Sequence, residues 1–400
     1  MTLCRLCHHL AVTPWLDLGK QALCNRFLMT SSGEEPTFPF TLGQCHACGV
    51  IQLLDPVAAQ ELKPRFDWVT YREAEGHLDD LVEDICRLPG VATTSVIGAI
   101  SSKDDSTVAR FKRRGFARTW RLDIERDLGA DDRGAGPETI QLHLTPQMAD
   151  VVAQRRGQAD VLIARHIVEH AQDPSSFVGA LKRLVRPDGY IVLEVPDCGP
   201  ALQRADYTMP WEEHVLYFTE KLLRQAVTCW GFQPVSHRLY PYSHENSLVA
   251  IVRSTETAQP NKPDSAVAQA EREFADGYAR SFPLHRRKAN EALAEFRRRR
   301  GRIAMFGAGH LSCAWINFLG TREYIDFVVD DDPRKRSLFM PGSRLPILAS
   351  SELMPRGIKL CLLSLNQESE EKVMANNQAF LDAGGIFASI FPGRPNSFVQ

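Results

Sequence analysis

The chain has 400 residues, more than one ordinary domain holds, so two or three domains are expected. Its 47 basic and 49 acidic residues leave a net charge of −2, which argues against a wide nucleic-acid footprint, and no run of about 18 apolar residues offers a membrane span. A hydrophobic content of 44% fits domains with real cores.

The N-terminal "MTLCRLCHH" lacks the apolar stretch of a signal peptide, so a cytoplasmic location is expected, with the ten cysteines as thiols or metal ligands. Residues 1–58 read as a first domain. Cys4-x-x-Cys7 and Cys45-x-x-Cys48 are two knuckles that bring four thiolates within reach of a tetrahedral zinc ion. Gly49 lets the backbone turn round the metal. Cys24, His8, His9 and His46 are nearby substitutes, but the four paired cysteines are the simplest ligand set. Such a closed site leaves no open position, so its role is structural.

Residues 65–255 read as alternating helices and strands. "LDDLVEDICRL" has apolar residues at helical spacing, "TTSVIGAI" is a short strand, and "STVARFKRRGF" is a helix stopped at Gly115. "TWRLDIE" is a strand that runs into acids. "ADVLIARHIVEH" is a buried strand that turns into a loop bearing acids and histidines. A helix, a Pro-Asp-Gly turn and a strand follow over 177–197, then a helix over 219–232 and a closing strand, "SLVAIVR". This alternation predicts a parallel sheet covered on both faces.

After a polar linker over 253–266, "AQAEREFADGYARSF" and "RRKANEALAEFRRRR" read as charged amphipathic helices, a spacer with a solvated face. Residues 266–400 form the third domain. In "GRIAMFGAGHLSCAWINFLG" a strand, Gly307-x-Gly309 and a helix resemble the first half of a dinucleotide-binding unit, with Ser312 where a third glycine would stand. The amides opening that helix could face an anion, and Asp330 ends the next strand where a ribose carboxylate would sit.

In chain order, the CxxC…CxxC head, the central unit with "ARHIVEH" and "RPDGYIVLEVP", and the terminal "FGAGH…VVDDDP…PGSRLPIL" resemble the zinc-headed sugar C-methyltransferases over nearly the whole chain. The resemblance implies an α/β chain in three parts: a zinc-binding head, a class I methyltransferase Rossmann-like parallel sheet, and a second Rossmann-like α/β domain that holds substrate. It implies zinc and S-adenosylmethionine (SAM) as cofactors. The partner it implies is a small nucleotide-linked keto sugar, with neither nucleic acid nor membrane. "EHVLYF" matches the active-site run, which puts the catalytic pair on Glu213 and His214, His214 being the base. For SAM, Asp104 follows the first strand, Asp123 stands at the ribose position with Glu125 beside it, and Arg165 and Glu169 follow the fourth strand on the edge where ligands collect. Tyr71, Trp211, Tyr217, Asn246, Gly307 and Gly309 are the expected substrate contacts.

Two departures stand out. The turn "SSKDDST" has no glycine where class I methyltransferases carry a Gly-rich loop. Trp211 and Glu212 stand where the family commonly has tyrosine and histidine, and an indole cannot do the acid–base work of a phenol. An oxygen or nitrogen acceptor on the same scaffold, or a non-catalytic binding protein, are the alternatives.

Overall fold

The computed structural model describes residues 1–69, 73–131, 136–255 and 258–398. Tyr71 lies outside them. The chain divides into two compact units that do not follow the three linear segments: residues 1–15, 42–199 and 213–273 form one, and residues 16–41, 200–212 and 274–400 the other.

The first unit is built on a six-stranded sheet with the order Gln233–Tyr240, Ser247–Arg253, Val185–Pro196, Ala159–Arg165, Ile97–Ala99, Thr119–Arg121. The last four strands run parallel, and Ser247–Arg253 is antiparallel to both of its neighbours. Period-two alternation covers both faces. Val161, Ile163, Val192 and Ile251 face one core, with Leu81, Ile85 and Phe111 of the helices Leu78–Cys86 and Asp105–Arg113. Leu162, Ala164, Leu193 and Ala250 face the other, with Phe177, Leu181 and Leu223 of Pro174–Leu184 and Glu220–Cys229. Sequence reading finds most of these elements. It misses the edge strand Gln233–Tyr240, which shows little alternation in burial, and the helices Pro137–His143 and Pro146–Arg156.

The zinc-binding residues do not form a core of their own. Cys4, Leu6, Val12, Cys45, Cys48 and Val50 belong to the same apolar cluster as Leu162 and Leu193.

The second unit carries a parallel five-stranded sheet with the order Ile347–Leu348, Ile325–Val329, Arg302–Phe306, Ile358–Leu363, Ile386–Ser389. The insert between the zinc knuckles joins this unit: Leu28 bridges Phe339, the Gly342 N–H donates to Glu35, and Phe40 packs on Phe318. The two charged segments are one helix, Ser265–Arg299. Pro283 lies inside it without ending it. From Ala275 onward Tyr278, Phe282, Ala289 and Leu293 are buried at helical spacing, so this stretch is a packed stripe rather than a solvated spacer.

Gly98 shows why the first strand has no side chain at its centre. A Cβ there would lie 2.6 Å from the Trp120 ring and 3.0 Å from the Ala159 methyl. Gly98→Ala should therefore overpack the sheet and cost about 1–3 kcal/mol, read as a lower midpoint in urea; an unchanged midpoint would show that Trp120 moves aside freely.

Candidate functional site

The four head sulfurs converge. Cys4 Sγ lies 3.6 Å from Cys48 Sγ and Cys7 Sγ lies 3.7 Å from Cys45 Sγ, all four falling within 4.8 Å of one another. Zn–S bonds of about 2.3 Å in a tetrahedron place sulfurs roughly 3.8 Å apart, so the set fits zinc. Gly49 has a φ of +83° and donates its N–H to the Cys45 carbonyl, closing the second knuckle. The histidines are engaged elsewhere: His8 with Ser175, His9 with the Cys7 carbonyl, His46 with Thr13.

At the carboxyl edge of the methyltransferase sheet, the glycine-free turn is held by a buried carboxylate. Asp104 accepts the N–H groups of Ile100 at 2.9 Å, Ser101 at 2.8 Å and Arg165 at 3.0 Å. Burial lifts its carboxyl to about 6 against the pull of these donors. Arg165 is 1% exposed and gives its guanidinium to Glu194 and to the Lys103 carbonyl. Both residues, expected to touch SAM, are instead framework: their polar atoms are consumed in joining the first turn to the fourth strand. Asn246 is likewise committed, its amide donating to Asp197 at 2.9 Å.

Asp123 keeps the expected place. It follows Thr119–Arg121 and caps the helix Ile124–Leu128, where its Oδ1 accepts the Arg126 N–H at 2.8 Å. That bond holds its carboxyl below the usual range. The side chain is 39% exposed, so the other oxygen can meet a ligand hydroxyl.

Beyond the fourth strand lies a group of carboxylates and histidines. His166 has a φ of +48° and its Nε2 is 3.1 Å from Glu194 Oε1. Glu194, fully buried near the end of the strand Val185–Pro196, also takes Arg165 at 2.5 Å and the Ser247 hydroxyl at 2.7 Å, and His77 Nε2 lies 3.1 Å away. Burial opposes its ionisation, yet His166 and the other cations hold it well below the usual carboxylate range. Burial pulls His166 down, but Glu73, Glu169 and Glu194 raise it to about 10. Glu73 pairs with Lys103 and is lowered to about 2, burial being outweighed by His166 and Lys103.

Next along the loop, Glu169 is 1% exposed, and neither of its oxygens makes a hydrogen bond among the described residues. His170 lies at the centre. Its Nδ1 is 2.7 Å from Glu138 Oε1, and its ring meets His214 edge-on at 4.8 Å between centroids. Burial works against ionised Glu138, but His170 holds its carboxyl below the usual range. Donor atoms of Glu169, His170 and His214 lie within 4.8 Å of one another, as do those of Glu138, His170 and Glu213. Tyr217 sets its ring 6.1 Å from that of His214. His214 is the partly exposed member, whereas Glu213 is buried. Glu138 and Glu245 went unread, and Glu194 was quoted only inside a motif. Glu245 is pushed up to about 8 by burial and by Glu73, Glu169 and Asp197.

In the second unit the glycine turn closes on itself. The Ala308 N–H donates to Asp330 Oδ2 at 3.0 Å, the Gly309 N–H to Ser312 Oγ at 3.2 Å, and Lys335 takes the same Asp330 oxygen at 2.8 Å. Gly307 adopts a φ of +104°, and a Cβ on it would strike Leu365 and Ser364. The anion role expected for Gly307 and Gly309, and the ribose role for Asp330, thus give way to internal bonds. The Trp211 ring packs against that of His310, tilted by 41° with 4.9 Å between centroids.

Comparison with known proteins places this architecture. Three family models match in chain order: "Putative zinc binding domain" over residues 4–62, "Methyltransferase domain" over 105–237 and "C-methyltransferase C-terminal domain" over 248–392. The chain is 24% identical to C-methyltransferase NovU of Streptomyces niveus across 97% of its own length and 95% of that protein. Among solved structures it is similar to a Burkholderia thailandensis 1,6-didemethyltoxoflavin-N1-methyltransferase with bound 1,6-didemethyltoxoflavin and S-adenosylhomocysteine, at 16% identity, 45% of this chain, 78% of that one and a TM-score of 0.30. A SAM-dependent methyltransferase from Aquifex aeolicus gives 11%, 50%, 99% and 0.29. With head, methyltransferase domain and C-terminal domain matched in one chain, the protein is a SAM-dependent C-methyltransferase with a zinc-binding head.

The charge network fixes a pH dependence. The folded pKa of His166, about 10, lies above the ordinary value of roughly 6.5. Its contribution to stability is therefore complete below the ordinary value and is lost as pH rises toward the folded one. Thermal midpoints should fall more between pH 7 and 9 in the parent than in His166→Asn, asparagine being tolerant of the positive φ. Equal falls in the two proteins would show that His166 does not carry the alkaline limb.

Proposed function

We propose that the acceptor is a nucleotide-linked keto sugar, methylated at a carbon next to its ketone, and that His214 is the base that takes the proton from that carbon. The observation that carries this reading is the partly exposed His214 backed by the buried group His170, Glu138 and Glu169. The nucleotide and the sugar come from the family resemblance of the head, central and terminal motifs.

A carbon next to a ketone is a weak acid, so a base near neutrality must be held against it. His214 takes the proton at a ring nitrogen. The carboxylate of Glu169 stabilises the imidazolium that results, Glu213 adds its charge beside His170, and His170, held by Glu138, fixes the edge against which the ring turns. Tyr217 bounds the ring on another side. SAM, when bound, supplies the methyl group to the carbanion-like carbon. Asp123 would take the ribose hydroxyls of SAM, and the oxygens of Glu169, free of hydrogen bonds, suit a donor group of either substrate.

Asp123→Ala should weaken SAM binding at least roughly tenfold, since hydrogen bonds to a charged group contribute about 1.5–3 kcal/mol each. Calorimetry that finds parental affinity would move the ribose contact to Glu125.

His214→Ala should lower turnover by about 10²–10⁴, the usual contribution of a general base, with SAM affinity almost unchanged. The parent should also exchange the α-hydrogen of the acceptor with solvent deuterium, and His214→Ala should not. Normal turnover in His214→Ala would make the histidine a packing residue. A requirement for His214 without exchange in the parent would turn attention to an oxygen or nitrogen acceptor.

A further inference from the structure

The insert between the zinc knuckles brings a cysteine to a place the four-sulfur site does not use. Cys24 follows the strand Leu10–Ala22 and is 4% exposed. In the same unit it meets Glu212, also 4% exposed, and His310, the first residue of the helix His310–Leu319. The Cys24 sulfur, a Glu212 oxygen and a His310 ring nitrogen all lie within 4.8 Å of one another. We propose that these three side chains form a second metal site, for a divalent ion of the zinc class.

The donor set suits that class. Thiolate and imidazole select borderline and soft metals over magnesium or calcium, and three protein ligands leave a fourth position for water or a ligand oxygen. The surroundings orient each donor. His310 Nε2–H donates to the Thr208 carbonyl at 2.9 Å, which leaves Nδ1 as the lone-pair nitrogen; ligating histidines are commonly fixed by such a carbonyl bond. Trp211 packs at a tilt against the same ring. Glu212 Oε1 accepts the Cys24 N–H at 2.5 Å, which fixes the carboxylate beside the sulfur. Cys313 adjoins Cys24, but its own sulfur accepts from Asn317 at 3.3 Å and lies 3.7 Å from the Pro341 carbonyl, which places it beside the set rather than in it.

Charge balance is consistent. A metal ligand must be a thiolate, so binding the ion releases the thiol proton of Cys24. Thiolate and carboxylate then bring two negative charges against the dication, offsetting the positive N-terminus of the helix His310–Leu319.

The test is zinc content in the full-length protein, purified from zinc-supplemented medium without chelator and desalted. Elemental analysis should give two zinc ions per chain. Cys24→Ser and His310→Ala should each give one, and Cys45→Ser should lose the head ion while keeping the other. One zinc per chain in the parent overturns the proposal, and so does a count of two that persists in Cys24→Ser and His310→Ala. An intact mass two hydrogens light under non-reducing conditions, abolished in Cys24→Ser, would also overturn it by making Cys24 and Cys313 a disulfide. Should the variants fail to fold, cobalt titration of the metal-free parent decides: sulfur-to-cobalt absorption rising to two equivalents supports the site, and saturation at one removes it.

Discussion

A carboxylate with almost no access to water governs the first unit. Glu194 lies fully buried near the end of the strand Val185–Pro196, where an isolated charge would be strongly disfavoured. It stays ionised because Arg165, His166 and Ser247 all reach it, with His77 close by. These partners come from the fourth strand, the loop after it, the closing strand and the start of the first helix. The charge thus ties four pieces of chain at the one sheet edge where ligands collect. Removing a single partner would leave charge uncompensated, which in buried networks costs more than the intact pair contributes.

The same logic explains the turn without glycine. Gly-rich turns let a ligand approach the backbone; here Asp104 instead gathers the N–H groups of Ile100, Ser101 and Arg165 onto one carboxylate. The turn is shaped from inside by a side chain rather than by backbone freedom. Arg165 takes the adjoining Lys103 carbonyl and carries the link to Glu194. Acidic residues in this loop can therefore be framework, and the cofactor's polar partners are sought further out, at Asp123 and Glu169.

What could be read from sequence divides by range. The zinc set was legible because each knuckle is local and thiolate chemistry is specific. The strands of the parallel sheet were legible as short apolar runs. His170 was not, because its partner Glu138 lies 32 positions away in a helix that sequence reading missed. Glu194 was hidden in an apolar strand, where a carboxylate gives no sign of what will neutralise it. Boundaries of the compact units also escaped, because zinc knuckles look self-contained while their apolar residues share a core with the methyltransferase sheet. The turn at Gly307 and Gly309 looked like an anion cradle by pattern alone. Only the positions of Asp330, Ser312 and Lys335 reveal that its amides and its acid are already paired.

Glu212 and Glu213 carry this point to a single peptide bond. The two are chemically alike and both buried, yet Glu212 joins Cys24 and His310 while Glu213 joins Glu138 and His170. The two share a turn, yet their side chains serve unrelated clusters. A motif that lists the two acids together therefore mixes two chemistries. One acid stands among histidines and carboxylates, a set suited to moving a proton. The other stands beside a thiol and an imidazole, a set suited to holding a metal. Substituting histidine for Glu212 would preserve a ligand but remove a negative charge, while the same change at Glu213 would add a cation beside His170. The exchange is therefore not equivalent at the two positions, and the family's histidine in place of Glu212 marks a difference in charge rather than in the capacity to bind.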